Sequence, residues 1–277
     1  MPGPERAVAR APALSSVRSA LWSLCFAVAF FALYVLAVLT PYGQQIDALS
    51  LGRTIVGGPA VTAVFAVLRL ATPAVLAVIA VGAVIAGLVQ RRWLDTTLCV
   101  VVALVLIVGS GPLRDLVLGR PFYGDFGYLV NSYPSRHVVV GLALAMLIVR
   151  LWPWPRTAGL ARVAMVIALA VLAVASVITF AHRASDVIGA VLLVGVIAPV
   201  IGRGRAPSVG QAMNRRPPRV WIVAAVTAAS LVMVLTSSPA LVALGFSMLV
   251  PVAVASLTVV VLRVGCPTSR SLVADFG

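Results

Sequence analysis

The chain has 277 residues, of which 62% are hydrophobic and only 10% are charged, and its formal net charge is +14. A water-soluble domain of this size could not cover its surface with so few charged side chains, so the composition excludes a soluble globular protein. All 21 basic residues are arginines, which excludes chemistry that needs a lysine, such as Schiff-base formation.

Apolar runs of the length that crosses a bilayer, about 20 residues, follow one another along the chain. We predict an all-α, polytopic membrane helix bundle of eight spans, with six to eight compatible with the pattern. The run 59–70 is shorter and contains Arg69, so we expect it to be a partial or tilted element rather than a span. The predicted spans lie near 21–40, 71–90, 94–110, 137–152, 163–181, 185–202, 219–237 and 240–262.

A polar segment rich in Pro and Arg, "GRGRAPSVGQAMNRRPPR" at 202–219, is the clearest boundary in the chain. It separates a core of six spans from two further spans. The predicted organisation is an N-terminal tail (1–20), the six-span core (21–203), a linker (204–218), two additional spans (219–263) and a C-terminal tail (264–277).

The distribution of arginines predicts how the chain is oriented. With the N-terminus in the cytoplasm, fifteen of the 21 arginines fall in cytoplasmic segments, as the positive-inside rule requires. We therefore expect a multi-pass protein of the cell membrane with both termini and the linker in the cytoplasm. The positive charge then favours anionic membrane lipids as partners, and not nucleic acid. Cys25, Cys99 and Cys266 lie in spans or on the cytoplasmic side, so reduced thiols are expected.

The arginines on the outer side are the unusual ones, and both histidines of the chain join them there. In "NSYPSRHVVVG" (131–141), Ser135 is expected at or near the N-cap of the fourth span, with His137 in its first turn. A helix N-terminus presents unpaired N–H groups and a positive dipole end, which together bind phosphate. An anion site at the outer membrane face would explain why arginines lie on that side.

The second histidine has a carboxylate at helical spacing. In "HRASD" (182–186), His182 and Asp186 are four residues apart and would share one helix face. Asp186 could then accept from one ring nitrogen and leave the other free to attack phosphorus, with His137 as general acid. Two alternatives remain open: the His–Asp pair could only cap a helix, and the arginines could only bind lipid headgroups. Two histidines and one aspartate are too few for a metal site, so none is predicted.

Three stretches of the chain resemble the motifs of the type 2 phosphatidic acid phosphatase superfamily, a family of integral-membrane lipid phosphatases. "RDLVLGRP" (114–121) resembles K-x6-R-P, "PSRH" (134–137) resembles P-S-G-H, and "HRASD" resembles the end of S-R-x5-H-x3-D. The order of the motifs and their positions relative to the spans also agree. The resemblance covers residues 20–203 and leaves the last two spans outside the usual six-helix core.

The resemblance implies a metal-independent reaction without a cofactor. His182 would be the nucleophile that forms a phosphohistidine, Asp186 would orient it, and His137 would protonate the leaving group. The phosphoryl oxygens would be held by backbone N–H groups and by side chains of the motif segments, where charge develops during transfer. These phosphate-binding candidates are Arg114, Arg120, Ser135, Arg136 and Arg183.

The chain departs from the family pattern at three positions. Arg114 stands where Lys is usual, with five residues rather than six before the Arg-Pro pair, and Arg136 stands where Gly is usual. Ser176 stands where the third motif has its arginine, so one phosphate-binding cation is missing from its usual place. We expect another cation to replace it, and Arg136, in the helix-start turn, is the first candidate, ahead of Arg183.

The sequence leaves the reaction partly open. Phosphatidate, phosphatidylglycerol phosphate and polyprenyl diphosphate would each present a phosphate at the outer interface. A phosphotransferase that passes the group to an alcohol, or a non-catalytic binder or translocator of anionic lipids, would use the same basic site. The oligomeric state is not predicted.

Overall fold

The computed structural model describes residues 11–52, 59–124, 130–153, 159–202 and 252–262, and in these ranges the chain is helical with no strand. The predicted all-α class is confirmed. The α-helices are α1 (Ala11–Leu33), α2 (Pro41–Gly52), α3 (Pro59–Val89), α4 (Trp93–Pro112), α5 (Arg136–Leu151), α6 (Gly159–Ile178), α7 (Ala184–Gly202) and α8 (Val252–Leu262). A π-helical turn follows α1 at Tyr34–Val38 and another follows α4 at Leu113–Val117.

Within the described ranges, five helical stretches, at α1, α3, α4, α6 and α7, are long and apolar enough to cross a membrane. Each of them overlaps one of the first six predicted spans, and α5, which has 16 residues, overlaps the remaining one. The predicted span 219–237, the linker 204–218 and the tail 264–277 lie outside the described residues, as does most of the predicted span 240–262, which α8 represents in part.

Residues 59–70 form no span of their own, as predicted, but they are not a separate element. This run is continuous with the following span in α3, a single helix of 31 residues with Pro73 inside it. Proline removes one backbone donor from a helix, but membrane helices tolerate this where Ser or Thr side chains compensate. Here Pro73 withdraws the donor from the Arg69 carbonyl, and the Thr72 hydroxyl donates instead to the preceding carbonyl, that of Leu68, at 2.7 Å. At 1.5 Å per residue α3 is about 46 Å long, longer than a hydrocarbon core of about 30 Å.

The helix α5 forms the centre of the bundle and packs against α3, α4, α6 and α7. Most of its side chains are buried, and Gly141 lets the Leu172 side chain of α6 approach closely. The outermost helix, α1, packs on α7, where the Phe26 ring lies against Gly195. Small residues at such crossings let backbones approach, as is usual between membrane helices. The opposite sides of α1 and α3 expose apolar side chains, which suits contact with lipid.

The two ends of α5 carry different polar clusters. At its C-terminal end, Arg150 donates to Asp95 at 3.1 Å, and Arg92 donates to the same carboxylate at 2.9 Å. At its N-terminal end lies His137, about 20 Å away along the axis. The candidate site is therefore at one end of the bundle, remote from the Asp95 cluster.

Candidate active site

Two helix N-termini meet at the site end of the bundle. Ser135 is the N-cap residue of α5, as predicted, and its extended backbone places the N–H towards α7. This N–H donates to the backbone carbonyl of Asp186, in the first turn of α7, at 2.9 Å. The hydroxyl of Ser135 makes no capping bond and is buried without a hydrogen-bond partner. The positive dipole ends of α5 and α7 thus face the same small region.

Both histidines lie in this region. The ring centroids of His137 and His182 are 6.1 Å apart, and the rings are tilted by 65°. His182 is buried and His137 is half-buried. The Nδ1 atom of each ring is buried and has no hydrogen-bond partner. The two histidines that are 45 residues apart in the sequence are therefore close enough to act on one small group.

The expected arrangement of His182 and Asp186 on one helix face was wrong, because α7 begins only at Ala184. His182 precedes the helix, and its backbone N–H donates to the Ser176 carbonyl at the end of α6. The proximity of the two side chains nevertheless persists, since His182 Nδ1 lies 3.7 Å from Asp186 Oδ2. This distance exceeds hydrogen-bond range but permits a charge interaction once the ring is protonated.

Asp186 is the most highly connected side chain of the site. Its carboxylate accepts from Arg120 Nη2 at 2.8 Å and from the Ser132 hydroxyl at 2.6 Å. It also accepts from the backbone N–H of Arg183 at 2.9 Å, which is the reverse half of a capping box at the start of α7. The side chains of Arg120 and Asp186 are completely buried. Asp186 therefore joins the loop before α5, the segment after α4 and the start of α7.

The predicted phosphate-binding arginines have different surroundings. Arg120 binds Asp186, and the Arg183 side chain is buried and donates to the backbone carbonyl of Gln44 at 3.1 Å. Arg114, in the π-helical turn, binds the neighbouring Asp115, with 2.6 Å between Nε and Oδ1. The Arg136 side chain is exposed, and its guanidinium lies against Gly111 of α4.

Besides the neighbouring His182, the cationic side chains whose charges reach the His137 ring are those of Arg69, Arg136 and Arg114. Of these, Arg69 is not among the predicted site residues, because its run was expected to be a partial or tilted element rather than a span. The rare charged residues of so apolar a chain are themselves the signal that could have pointed to it.

A second buried carboxylate supports the start of α7 and was not predicted. Asp47 of α2 accepts from the backbone N–H of Ser185 at 3.1 Å and is hydrogen-bonded to the Ser185 hydroxyl. Burial, followed by the nearby negative charge of Asp186, raises the pKa of Asp47 to about 6. Gln44, one turn earlier, donates to the carbonyls of Val38 and Pro121 at 2.7 and 2.8 Å. The short helix α2 therefore covers the site end and fixes α7.

Tyr133 holds the segment before α5 in place. Its ring is buried between Phe30 and Tyr34, with centroids 5.1 and 5.5 Å away, and its hydroxyl donates to the Phe30 carbonyl at 2.8 Å. The ring lies directly on Gly189 of α7, where a Cβ would come within 2.3 Å of it. Asn131 secures the same segment by accepting from the Tyr133 N–H at 3.0 Å.

Comparisons with known proteins give no independent guide to the chemistry, because no protein-family model, curated protein or solved structure matches this chain.

Proposed function

We propose that this chain is a membrane phosphatase that hydrolyses a lipid phosphate or diphosphate through a phosphohistidine intermediate on His182. The observation that carries the proposal is the pair of imidazoles, 6.1 Å apart, at the meeting point of two helix N-termini and among cationic side chains. Positive helix dipole ends, cationic side chains and two titratable rings together suit a phosphoryl group in transfer.

The division of roles follows from where Asp186 lies. Its carboxylate is on the Nδ1 side of the His182 ring, which leaves Nε2 on the far side for attack. A negative charge at 3.7 Å stabilises the positive charge that develops on the ring when Nε2 bonds to phosphorus. His137, on a different helix, is then the residue available to donate a proton.

The reaction has two steps. The Nε2 lone pair attacks phosphorus, the bond from phosphorus to the lipid oxygen breaks, and protonated His137 donates its proton to that oxygen. The lipid leaves as an alcohol, or as a monophosphate when the substrate is a diphosphate. A water molecule then attacks phosphorus, gives a proton to neutral His137 and breaks the phosphorus–nitrogen bond, which releases orthophosphate. No step requires a metal ion or a cofactor.

The position of the site supports a lipid substrate. It lies at one end of a bundle whose outer surfaces are apolar, so a phosphate could reach the histidines while its chains stay among lipid. Phosphatidate, phosphatidylglycerol phosphate and polyprenyl diphosphate share this geometry. The arginine distribution favours the extracytoplasmic face of the cell membrane for this end.

The test is phosphate release from those three lipids and from p-nitrophenyl phosphate by the purified full-length protein in detergent micelles. We expect release from at least one lipid, none from His182→Ala, and full activity in Arg18→Gln, which removes an exposed arginine on α1 far from the site. The parent should also retain an alkali-stable, acid-labile phosphoryl group after denaturation during turnover, and His182→Ala should not.

The alternatives give different results in the same assay. Transfer of the phosphoryl group to an added alcohol in preference to water would identify a phosphotransferase. Binding of the lipids without phosphate release would identify a binder or translocator. Full turnover by His182→Ala, or turnover only with an added divalent metal, would refute the proposed mechanism.

A further inference from the structure

Arg69 lies on the side of α3 that faces the bundle. The buried positions of this helix are Leu76, Ala80, Ala83 and Gly87, which repeat at helical spacing. Arg69 is seven residues before Leu76, two helical turns, and so falls on the same face. Its Nε atom is buried. The only arginine within α3 thus points towards the protein rather than towards lipid.

The register between α3 and α5 brings Arg69 to the level of the histidines. Leu76 lies beside Gly141, and Gly87 lies beside Leu151, so the two helices run parallel. Seven residues back from Leu76 is a rise of about 10.5 Å, and the same rise back from Gly141 leads to the start of α5. This agrees with the charge of Arg69 reaching the His137 ring.

The charge of Arg69 is not balanced in the described part of the chain. Arg120 binds Asp186, Arg114 binds Asp115, and Arg92 and Arg150 share Asp95. In the same ranges Arg69 forms no salt bridge, and Nε has no hydrogen-bond partner. A guanidinium in a partly buried, apolar helix is costly without a counter-charge, and its neighbours at the His137 ring are also cationic. An anion bound between them would balance these charges.

Position 176 of α6 carries no positive charge. Ser176 of α6 stands where the third motif of the resembling family has arginine, and its hydroxyl donates to the Leu172 carbonyl of its own helix at 2.8 Å. Leu172 packs on Gly141, so Ser176, one turn later, is nearer the histidine end of the bundle. The helices α3 and α6 pack together, and Arg69 and Ser176 each lie towards the histidine end of their helix.

We propose that Arg69 binds the phosphoryl group of the substrate, and that it supplies from α3 the positive charge that Ser176 does not supply from α6. The ligand class is a phosphate monoester or diphosphate dianion. Arg136, the candidate that the sequence favoured for this role, is exposed and packs on Gly111, so it contributes less. This inference rests on the proposed function, because it assigns a further binding residue to the same site.

The experiment uses the full-length protein in detergent micelles, with two readouts. One is equilibrium binding of radiolabelled inorganic phosphate; the other is kcat/KM for p-nitrophenyl phosphate and for the best lipid substrate. The variants are Arg69→Gln, Arg69→Lys and Arg136→Gly, with Arg18→Gln as the matched loss of one positive charge elsewhere. Removing one such donor typically costs about 100- to 1,000-fold in rate.

We expect Arg69→Gln to lower kcat/KM by about 100-fold on both substrates and to weaken phosphate binding at least tenfold. Arg69→Lys should retain part of both, and Arg136→Gly should lose much less. Adding Ser176→Arg to Arg69→Gln should restore activity in part, because it returns a guanidinium to the same region from α6. Arg18→Gln should match the parent.

The possible failures are distinguishable. A parent that neither binds phosphate nor hydrolyses any substrate would refute the proposed function and this inference together. An active parent with Arg69→Gln within twofold of it would refute the inference alone. Loss of lipid turnover with normal phosphate binding would also overturn it, since Arg69 would then contact a headgroup outside the site. If Arg69→Gln does not fold, the test depends on Arg69→Lys and on the double variant Arg69→Gln with Ser176→Arg. The proposal is overturned if Arg69→Lys binds phosphate with wild-type affinity and Ser176→Arg brings no gain in activity.

Discussion

Replacing Asp186 by Asn tests whether this carboxylate holds the site together. Its side chain and that of Arg120 are completely buried and form an ion pair at 2.8 Å. The substitution removes the negative charge that Arg120 binds, and removing one partner of a buried pair costs about 3–5 kcal/mol of unfolding free energy. An amide also has one acceptor oxygen instead of two, so it cannot keep both the bond from Arg120, which reaches Oδ1, and the bonds from Ser132 and the Arg183 N–H, which reach Oδ2.

This loss should be visible as a lower melting temperature. About 2–4 °C per kcal/mol is usual for proteins of this size, so 3–5 kcal/mol corresponds to roughly 6–20 °C. The assay is thermal unfolding of parent and variant in the same detergent and at the same scan rate, because unfolding of such proteins is often irreversible. Asp115→Asn is the matched control, since Asp115 also binds an arginine but is half exposed, and it should change the melting temperature little.

A second variant separates the charge effect from a general loss of packing. Arg120→Met combined with Asp186→Asn removes both charges, so the double variant should melt above Asp186→Asn alone. The reasoning fails if Asp186→Asn melts within about 2 °C of the parent, or if the double variant is as unstable as the sum of its two single variants.

Three further predictions concern other parts of the site. The pKa of Asp47 is raised to about 6, so its contribution to stability is complete below pH 4 and is lost as the pH rises through 6. The melting temperature of the parent should therefore fall between pH 5 and 7.5. This fall should be smaller in Asp47→Asn, whose side chain does not titrate. Gly189→Ala should push the Tyr133 ring away, which should lower stability by about 1–3 kcal/mol and reduce turnover. The control is Gly109→Ala, where a methyl group would meet open space. In the same unfolding and phosphate-release assays this control should change neither stability nor turnover. His137→Ala should lose less activity on p-nitrophenyl phosphate than on a lipid phosphate, because p-nitrophenolate leaves without a proton; equal losses would argue against its role as general acid.

Much of the fold could be predicted because it depends on local sequence. A bilayer or a bundle core requires long apolar runs, and these are visible without knowledge of the tertiary structure. The start of α5 is also a local feature, since Ser135 follows a Pro and precedes an apolar run. The same kind of reading set residues 59–70 apart from the following span, because the run is short and contains Arg69, whereas the structure joins the two in α3. Whether such residues interrupt a helix depends on compensating bonds and on neighbouring helices, which the sequence does not display.

The four-residue spacing of His182 and Asp186 is compatible with two local structures, and the sequence alone did not decide between them. Four residues can place two side chains on one helix face, or can place an acid in the first turn of a helix that begins between them. The second structure is the observed one, because Asp186 accepts from the Arg183 N–H at the start of α7. Asp47 and Arg69 were not predicted for another reason: each comes from a helix distant in the sequence and belongs to no motif, so its rarity as a charged residue in an apolar chain was the one signal.

The charged groups of the site fall into two sets with different surroundings. One set holds the segments of the site together, and the other is available to bind the substrate. The carboxylates of Asp186 and Asp47 are buried and take up hydrogen bonds from Arg120, Ser132 and Ser185. Among the buried atoms without hydrogen-bond partners in the described ranges, the imidazole Nδ1 atoms and the Nε of Arg69 instead belong to groups that are cationic or can become so. A substitution in the first set should therefore change the melting temperature first, and one in the second set should change phosphate affinity or turnover first. An effect of Arg69→Gln on stability alone, or of Asp186→Asn on turnover alone, would show that this separation of roles is wrong.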